Sequence, residues 1–162
     1  MSLARFRSTL LLLLAIPLFA GAQTSATNAA VVRRLFDEVA SRGQMALIDQ
    51  IVAPDFVTHG NPGEPDDPLR GPAAMRAHIQ VLRTAFPDLK FTVDQVVAQG
   101  DQVAVRWTMS GTHRGTILGI VPSGRHFRVA GMHIFRLVNG KIHDSWSVLD
   151  LLSLVQQISP EK

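Results

Sequence analysis

The order of periodicities in this sequence predicts an α+β fold: a cone-shaped, curved antiparallel sheet with N-terminal helices packed over its concave face. Three observations carry that expectation. Apolar residues recur at helical spacing through the first half of the chain and at every second position from Leu89 onward. Asn139-Gly140 marks a tight hairpin between the last two long strands, because a type I′ turn needs positive φ at both central residues. Helices that precede hairpin-joined strands segregate onto one face of the sheet, and a twisted sheet curls around what covers it, leaving a hollow suited to a ligand.

The first 22 residues read as a secretory signal peptide. Arg5 and Arg7 give a positive start, residues 10–19 are apolar apart from Pro17, and Ala20-Gly21-Ala22 suits a signal peptidase. The apolar run is too short to cross a bilayer core of about 30 Å as a helix. The expected location is therefore outside the cytoplasm, periplasmic or secreted, with no membrane association once the signal is removed. Residues 23–28 read as a flexible lead-in and 29–158 as one domain. The chain has no cysteine, which removes disulfides and thiol chemistry. The signal carries two of the 16 Lys and Arg and none of the 13 Asp and Glu, leaving a net charge of +1 on the rest. No basic cluster occurs, so nucleic acid is not an expected partner.

Asn28 is a plausible N-cap for a helix whose stripe is Val31, Val32, Leu35, Phe36 and Val39, stopped by Gly43. A short helix over 45–51 ends at Pro54. Residues 56–59 are extended and 60–72 form a loop rich in Gly, Pro and Asp. Pro72 opens a third helix with Met75, Ile79, Leu82 and Phe86 on its stripe, closed by Pro87. In the next strand Phe91, Val93 and Gln95 alternate with Thr92, Asp94 and Val96. Gly100-Asp101 turns into a strand with Val103, Val105, Trp107 and Met109 on one face. After a long connection over 114–125 come strands at 127–137 and 142–148, then a short helix carrying Leu151, Leu152, Val155 and Ile158.

A two-residue turn at 139–140 sets the register of the last hairpin. Unbroken alternation pairs Val138 with Lys141 and then Leu137 with Ile142, Phe135 with Asp144 and His133 with Trp146, these last six residues on one apolar face. His133 and Asp144 are the ionisable exceptions there, and Asp150 is placed at the same rim. A buried ionisable group needs a partner, and an imidazole beside carboxylates suits general acid/base chemistry as well as a purely structural role. No His-x-His or His-Glu-x-x-His spacing occurs, so no metal is expected. No phosphate loop, dinucleotide fingerprint or nucleophile elbow is present, and no cofactor is expected.

Several segments together resemble the SnoaL-like polyketide cyclases, or ester cyclases, of the nuclear transport factor 2-like superfamily. They include residues 32–36, Phe56-Val57-Thr58-His59, Gly71-Pro72, residues 85–89, and the run from Arg106 to Gly115. Leu118-Gly119 to Gly124, Gly131-Met132-His133-Ile134-Phe135-Arg136, Asn139 to Ile142 and Trp146 to Asp150 complete the set. The resemblance implies the cone fold. It also implies a cofactor-independent enzyme that abstracts a proton next to a carbonyl in a small apolar substrate. Relatives place an acid/base Asp where this chain has His133, and read Glu-His-Trp-Asp where it has Asp144-Ser145-Trp146-Ser147. The implied catalytic residues are His133, Asp144 and Asp150. Trp107, Phe135 and Trp146 would shape the pocket, with His59 and His113 as polar contacts at its mouth. The alternative is an exported binding protein that uses the same pocket without catalysis. A homodimer through the convex face, with Met132 and Ile134 outermost, is a further expectation of such a fold.

Overall fold

The computed structural model describes residues 18–60 and 68–160. The signal segment as far as Pro17 and most of the expected 60–72 loop lie outside them.

Helix α1 spans Leu18–Arg34 and continues as a π-helical turn over Leu35–Ser41. Residues 23–28, expected as a lead-in, are therefore helical. Asn28 is not an N-cap: it sits inside α1, buried, and its Nδ2 donates to Gly100 O at 3.1 Å. The N–H of the same glycine donates to Ser25 Oγ at 3.1 Å, so α1 grips the turn between two strands. Gly43 turns the chain at φ +73°, and a 3-10 turn at Met45–Leu47 leads into α2, Ile48–Ile51.

Strand β1 covers Val52–His59 and α3 covers Gly71–Ala85, with Pro72 in its first turn. Strands β2 (Lys90–Gln99), β3 (Gln102–Thr112), β4 (His126–Val138) and β5 (Lys141–Leu149) follow, and α4 (Leu151–Ile158) ends the described chain. The sheet runs β1-β5-β4-β3-β2. Four strands are antiparallel as expected, but β1 pairs parallel to β5, so the sheet is mixed. The Asn139-Gly140 turn has φ of +51° and +72°.

Bulges in β2 and β5 bend the sheet and change which residues face inward. In β2 the register slips between Val93 and Gln95; Asp94 is the extra residue, and Val96 and Ala98 pair with Val105 and Val103 on the inner face. In β5 it slips at His143, which has no counterpart between the Leu137–Ile142 and Arg136–Asp144 pairs. Beyond that bulge Phe135 faces Ser145, Ile134 faces Trp146 and His133 faces Ser147.

The inner face buries Val103, Val105, Trp107, Met109, Phe127, Val129, Phe135 and Leu137 against Val32, Leu35, Phe36 and Val39 from the first helical segment and Met75 and Ile79 from α3. The outer face exposes Met132, Ile134, Trp146 and Val148.

Candidate active site

Between the concave face and the helices lies one apolar cavity of about 440 Å³. Its walls are Leu35 and Phe36, Met75, Ile79 and Leu82 of α3, and Phe91, Trp107, Met109 and Phe135 of the sheet. Its polar lining residues are Thr58, His59, His78, His133, Ser145 and Ser147, besides the Trp107 indole. No Lys, Arg, Asp or Glu is among the described lining residues.

His133 is packed on three sides. Phe135 stacks on it with centroids 5.1 Å apart, Phe36 meets it edge-on at 5.7 Å, and Trp107 lies 5.7 Å away. Trp107 Nε1 donates to His133 Nδ1 at 2.8 Å. An indole N–H can only donate, so Nδ1 must present its lone pair to it, and the neutral ring carries its proton on Nε2. Desolvation in the apolar wall, and secondarily the charge of His78, push the His133 pKa down to about 4. At neutral pH this residue is an uncharged hydrogen-bond donor. The lone pair that a general base would use is already occupied.

Gly131 makes this arrangement possible. It lies opposite Trp107 on β4, where a Cβ would come within 2.3 Å of two indole carbons. A side chain at 131 would expel the indole from the place where its N–H reaches His133.

His78 enters the lining from α3. It lies one turn beyond Met75, beside the Met75–Ile79–Leu82 stripe, and that spacing was the available signal. Desolvation lowers its pKa as well, although part of its surface reaches solvent. Ser145 and Ser147 were also unanticipated, and the bulge at His143 is what turns them inward.

The bulge carries Asp144 and Trp146 to the opposite face from His133, so the expected His133–Asp144 pair does not form. Asp144 instead accepts from His59 Nε2 at 2.7 Å and pairs through its other oxygen with Arg136. Trp146 stacks on His59, with centroids 4.5 Å apart and planes within 11°. Burial alone would raise the Asp144 pKa, but hydrogen bonds from His59 and Arg136 together outweigh it and hold it below the usual carboxylate value. His59 ends β1 beside the cavity, but its ring lies against Asp144 and Trp146 on the outer face of the sheet.

Asp150 is not at the cavity. It caps α4, its Oδ1 accepting from Ser153 N at 3.0 Å. His113 is not at the mouth either. It is fully buried beside Phe86, and Ser123 N donates to its Nδ1 at 3.3 Å. Backbone bonds from His113 N to Arg125 O and from Gly124 N to His113 O close the 114–125 connection around it. Trp107 and Phe135 line the cavity as expected. Among the described residues no group of three or more His, Cys, Asp or Glu is placed to hold a metal ion.

A curved sheet closed by helices over an apolar cavity, with a neutral imidazole on its inner face, defines a pocket-bearing protein of the cone-shaped α+β class. The sequence profile of the SnoaL-like polyketide cyclases matches residues 30–158, and the chain belongs to that family. It is 28% identical over 135 residues to the aklanonic acid methyl ester cyclase DnrD of Streptomyces peucetius, covering 82% of this chain and 90% of that one. With the corresponding cyclase DauD of Streptomyces sp. (strain C5) it shares 31% identity over 110 residues, 64% of this chain and 68% of the relative. Among solved structures, a SnoaL-like protein from Jannaschia sp. CCS1 superimposes with a TM-score of 0.77 at 28% identity, over 86% of this chain and 96% of that one. TsrD from Streptomyces laurentii superimposes with a TM-score of 0.72 at 32% identity, over 82% and 94%.

Proposed function

We propose that this protein is a cofactor-independent acid/base enzyme of the ester-cyclase type, acting outside the cytoplasm on a small, uncharged, carbonyl-containing molecule. The observation that carries this reading is the Trp107–His133 hydrogen bond inside an apolar cavity. It supports a role for His133 as donor rather than base: Nε2–H would meet the substrate carbonyl oxygen and stabilise the enolate oxyanion that forms when the neighbouring carbon loses a proton. Such a donor in a dry site is worth about 10²–10³ in rate. A neutral His with a low pKa suits the task, because it neither repels a neutral ligand nor gives up its proton outright.

The lining points to the class of substrate. With no charged side chain among its described residues, the cavity has nothing to pair with a free carboxylate, and burying that charge would be costly. An ester carries the same carbonyl without the charge. The relatives named as methyl ester cyclases support that choice. Export rests on the Arg5 to Ala22 pattern.

The test is deuterium incorporation into methyl benzoylacetate and 1-tetralone, followed by NMR. Wild type should accelerate exchange above buffer, and His133→Ala should lose about 10²–10³ of that acceleration. Unchanged exchange in the variant would remove His133 from the chemistry. Tight binding of these ketones without exchange, unaffected by the variant, would make the pocket that of an exported carrier.

A further inference from the structure

If His133 only donates, some other group must take the proton. The described lining residues offer two further imidazoles, His59 and His78. The His59 ring is turned away, bonded to Asp144 and stacked on Trp146 on the outer face of the sheet. The other polar lining groups are hydroxyls and the Trp107 indole, none of which is a base at neutral pH. His78 comes from α3, one turn after Met75 and one residue before Ile79, and both of those side chains are buried against the sheet. Its ring therefore borders the apolar stripe that covers the cavity. Protein packs round it closely enough to desolvate it, yet the residue is exposed, and because it lines the cavity that surface is reachable from within. No hydrogen bond to a described residue commits either ring nitrogen. The charge of His78 acts on His133, so the two rings lie within electrostatic reach of each other, one from the helix and one from the sheet.

We propose that His78 is the general base of this site, working across the cavity from His133. This rests on the functional reading above. The unprotonated ring nitrogen of His78 takes the proton from the carbon next to the substrate carbonyl. The C–H electron pair moves into the enolate, whose oxygen rests on His133 Nε2–H. When the enolate carbon bonds to a second carbonyl carbon of the same molecule, the new alkoxide takes the proton back from His78, and the ring returns to neutral. No group is consumed.

The surroundings of the two imidazoles differ in the way this division of labour needs. His133 is closed in by Phe36, Trp107 and Phe135, and its Nδ1 lone pair is taken. His78 reaches solvent, so the imidazolium it forms is partly hydrated and costs less than one at His133 would. Burial still holds it below the ordinary value of 6.5, so at pH 7 the ring is neutral and its lone pair is available. Repulsion between the rings keeps a second proton off His133 once His78 is charged. The exposed side of His78 also lets it trade its proton with bulk water, as isotope exchange requires.

The experiment measures deuterium exchange into methyl benzoylacetate and 1-tetralone with the full chain, comparing wild type, His78→Ala, His78→Gln and His133→Ala, each checked by thermal melting. His78→Ala and His78→Gln should lower kcat by about 10²–10⁴ with KM little changed. Their melting temperatures should stay near that of wild type, because the ring has no hydrogen bond to a described residue to lose. Added imidazole should restore part of the rate to His78→Ala, and with substituted imidazoles the restored rate should rise with their basicity, which marks a base rather than a donor. Wild-type exchange rates in both His78 variants, with His133→Ala impaired, would overturn this assignment and leave the donor role of His133 standing. Impaired His78 variants beside an unimpaired His133→Ala would overturn the donor role instead. A loss confined to KM would make His78 a binding contact and overturn its role as base. So would a loss that tracks a lower melting temperature and resists imidazole, which would make His78 structural. No exchange by wild type with either probe would overturn both readings.

Discussion

Replacing Trp107 by Phe removes one N–H while keeping an aromatic ring in the same wall. Trp107 is 3% exposed and its indole N–H is bonded to His133 Nδ1 at 2.8 Å. The variant leaves Nδ1 as an acceptor without a partner in an apolar setting, which costs about 1–3 kcal/mol. The smaller ring leaves unfilled volume, adding about 1 kcal/mol. Urea unfolding should therefore show a loss of about 2–4 kcal/mol with little change in slope. Function should suffer through the tautomer. Without the indole, His133 is free to place its proton on either nitrogen, and its pKa should rise from about 4 because a bond that favoured the neutral form is gone. The exchange rate should fall by less than in His133→Ala, since the imidazole is still present. A stability loss under about 1 kcal/mol together with wild-type exchange would refute the argument that Trp107 sets the state of His133.

Gly131→Ala should reproduce the functional loss of Trp107→Phe without touching either polar group, because the new Cβ would sit 2.3 Å from two indole carbons. Its overpacking should cost about 1–3 kcal/mol, read by urea unfolding with tryptophan fluorescence reporting the displaced ring. Stability should also fall on acidification. His133 has a pKa of about 4 when folded against 6.5 as the ordinary value, so the unfolded chain binds the extra proton between those limits. The contribution is fully present above about pH 6.5, declines as pH falls towards 4, and amounts to about 3 kcal/mol. Unfolding midpoints measured from pH 7 to 4 should drop less steeply in His133→Gln. The lowered pKa of His78 leaves a residual slope of the same sign.

Local chemistry wrote much of this fold legibly into the sequence. Pro72 and the Met75–Ile79–Leu82 stripe placed α3, Asn139-Gly140 placed the hairpin, and alternation from Val103 to Met109 put Trp107 on the inner face. His133 was also placed correctly, because it lies on β4, away from the bulged strand. Features that depend on one inserted residue or on distant pairing were not legible. The bulge at His143 turns the rest of β5 over, so Trp146 faces outward and Ser145 and Ser147 face the cavity, the reverse of what hydrophobicity suggests. The bulge at Asp94 does the same to Val96 and Ala98 in β2. Neither position carries a residue type that marks a bulge. The parallel pairing of β1 with β5 joins segments more than eighty residues apart, and it alone brings His59 to Asp144. His113 looked like a rim residue because it ends a strand; the loop that folds back over it buries it.

The central claim is that His133 is a neutral donor with its proton on Nε2. Nitrogen-15 NMR of the histidine side chains, with His133 assigned by comparison with His133→Gln, reads both nitrogens directly across a titration from pH 8 to 4. The expected result is one protonated Nε2 and one unprotonated, hydrogen-bonded Nδ1 throughout, with a second proton arriving only near pH 4. An imidazolium, or a proton on Nδ1, at neutral pH would contradict it.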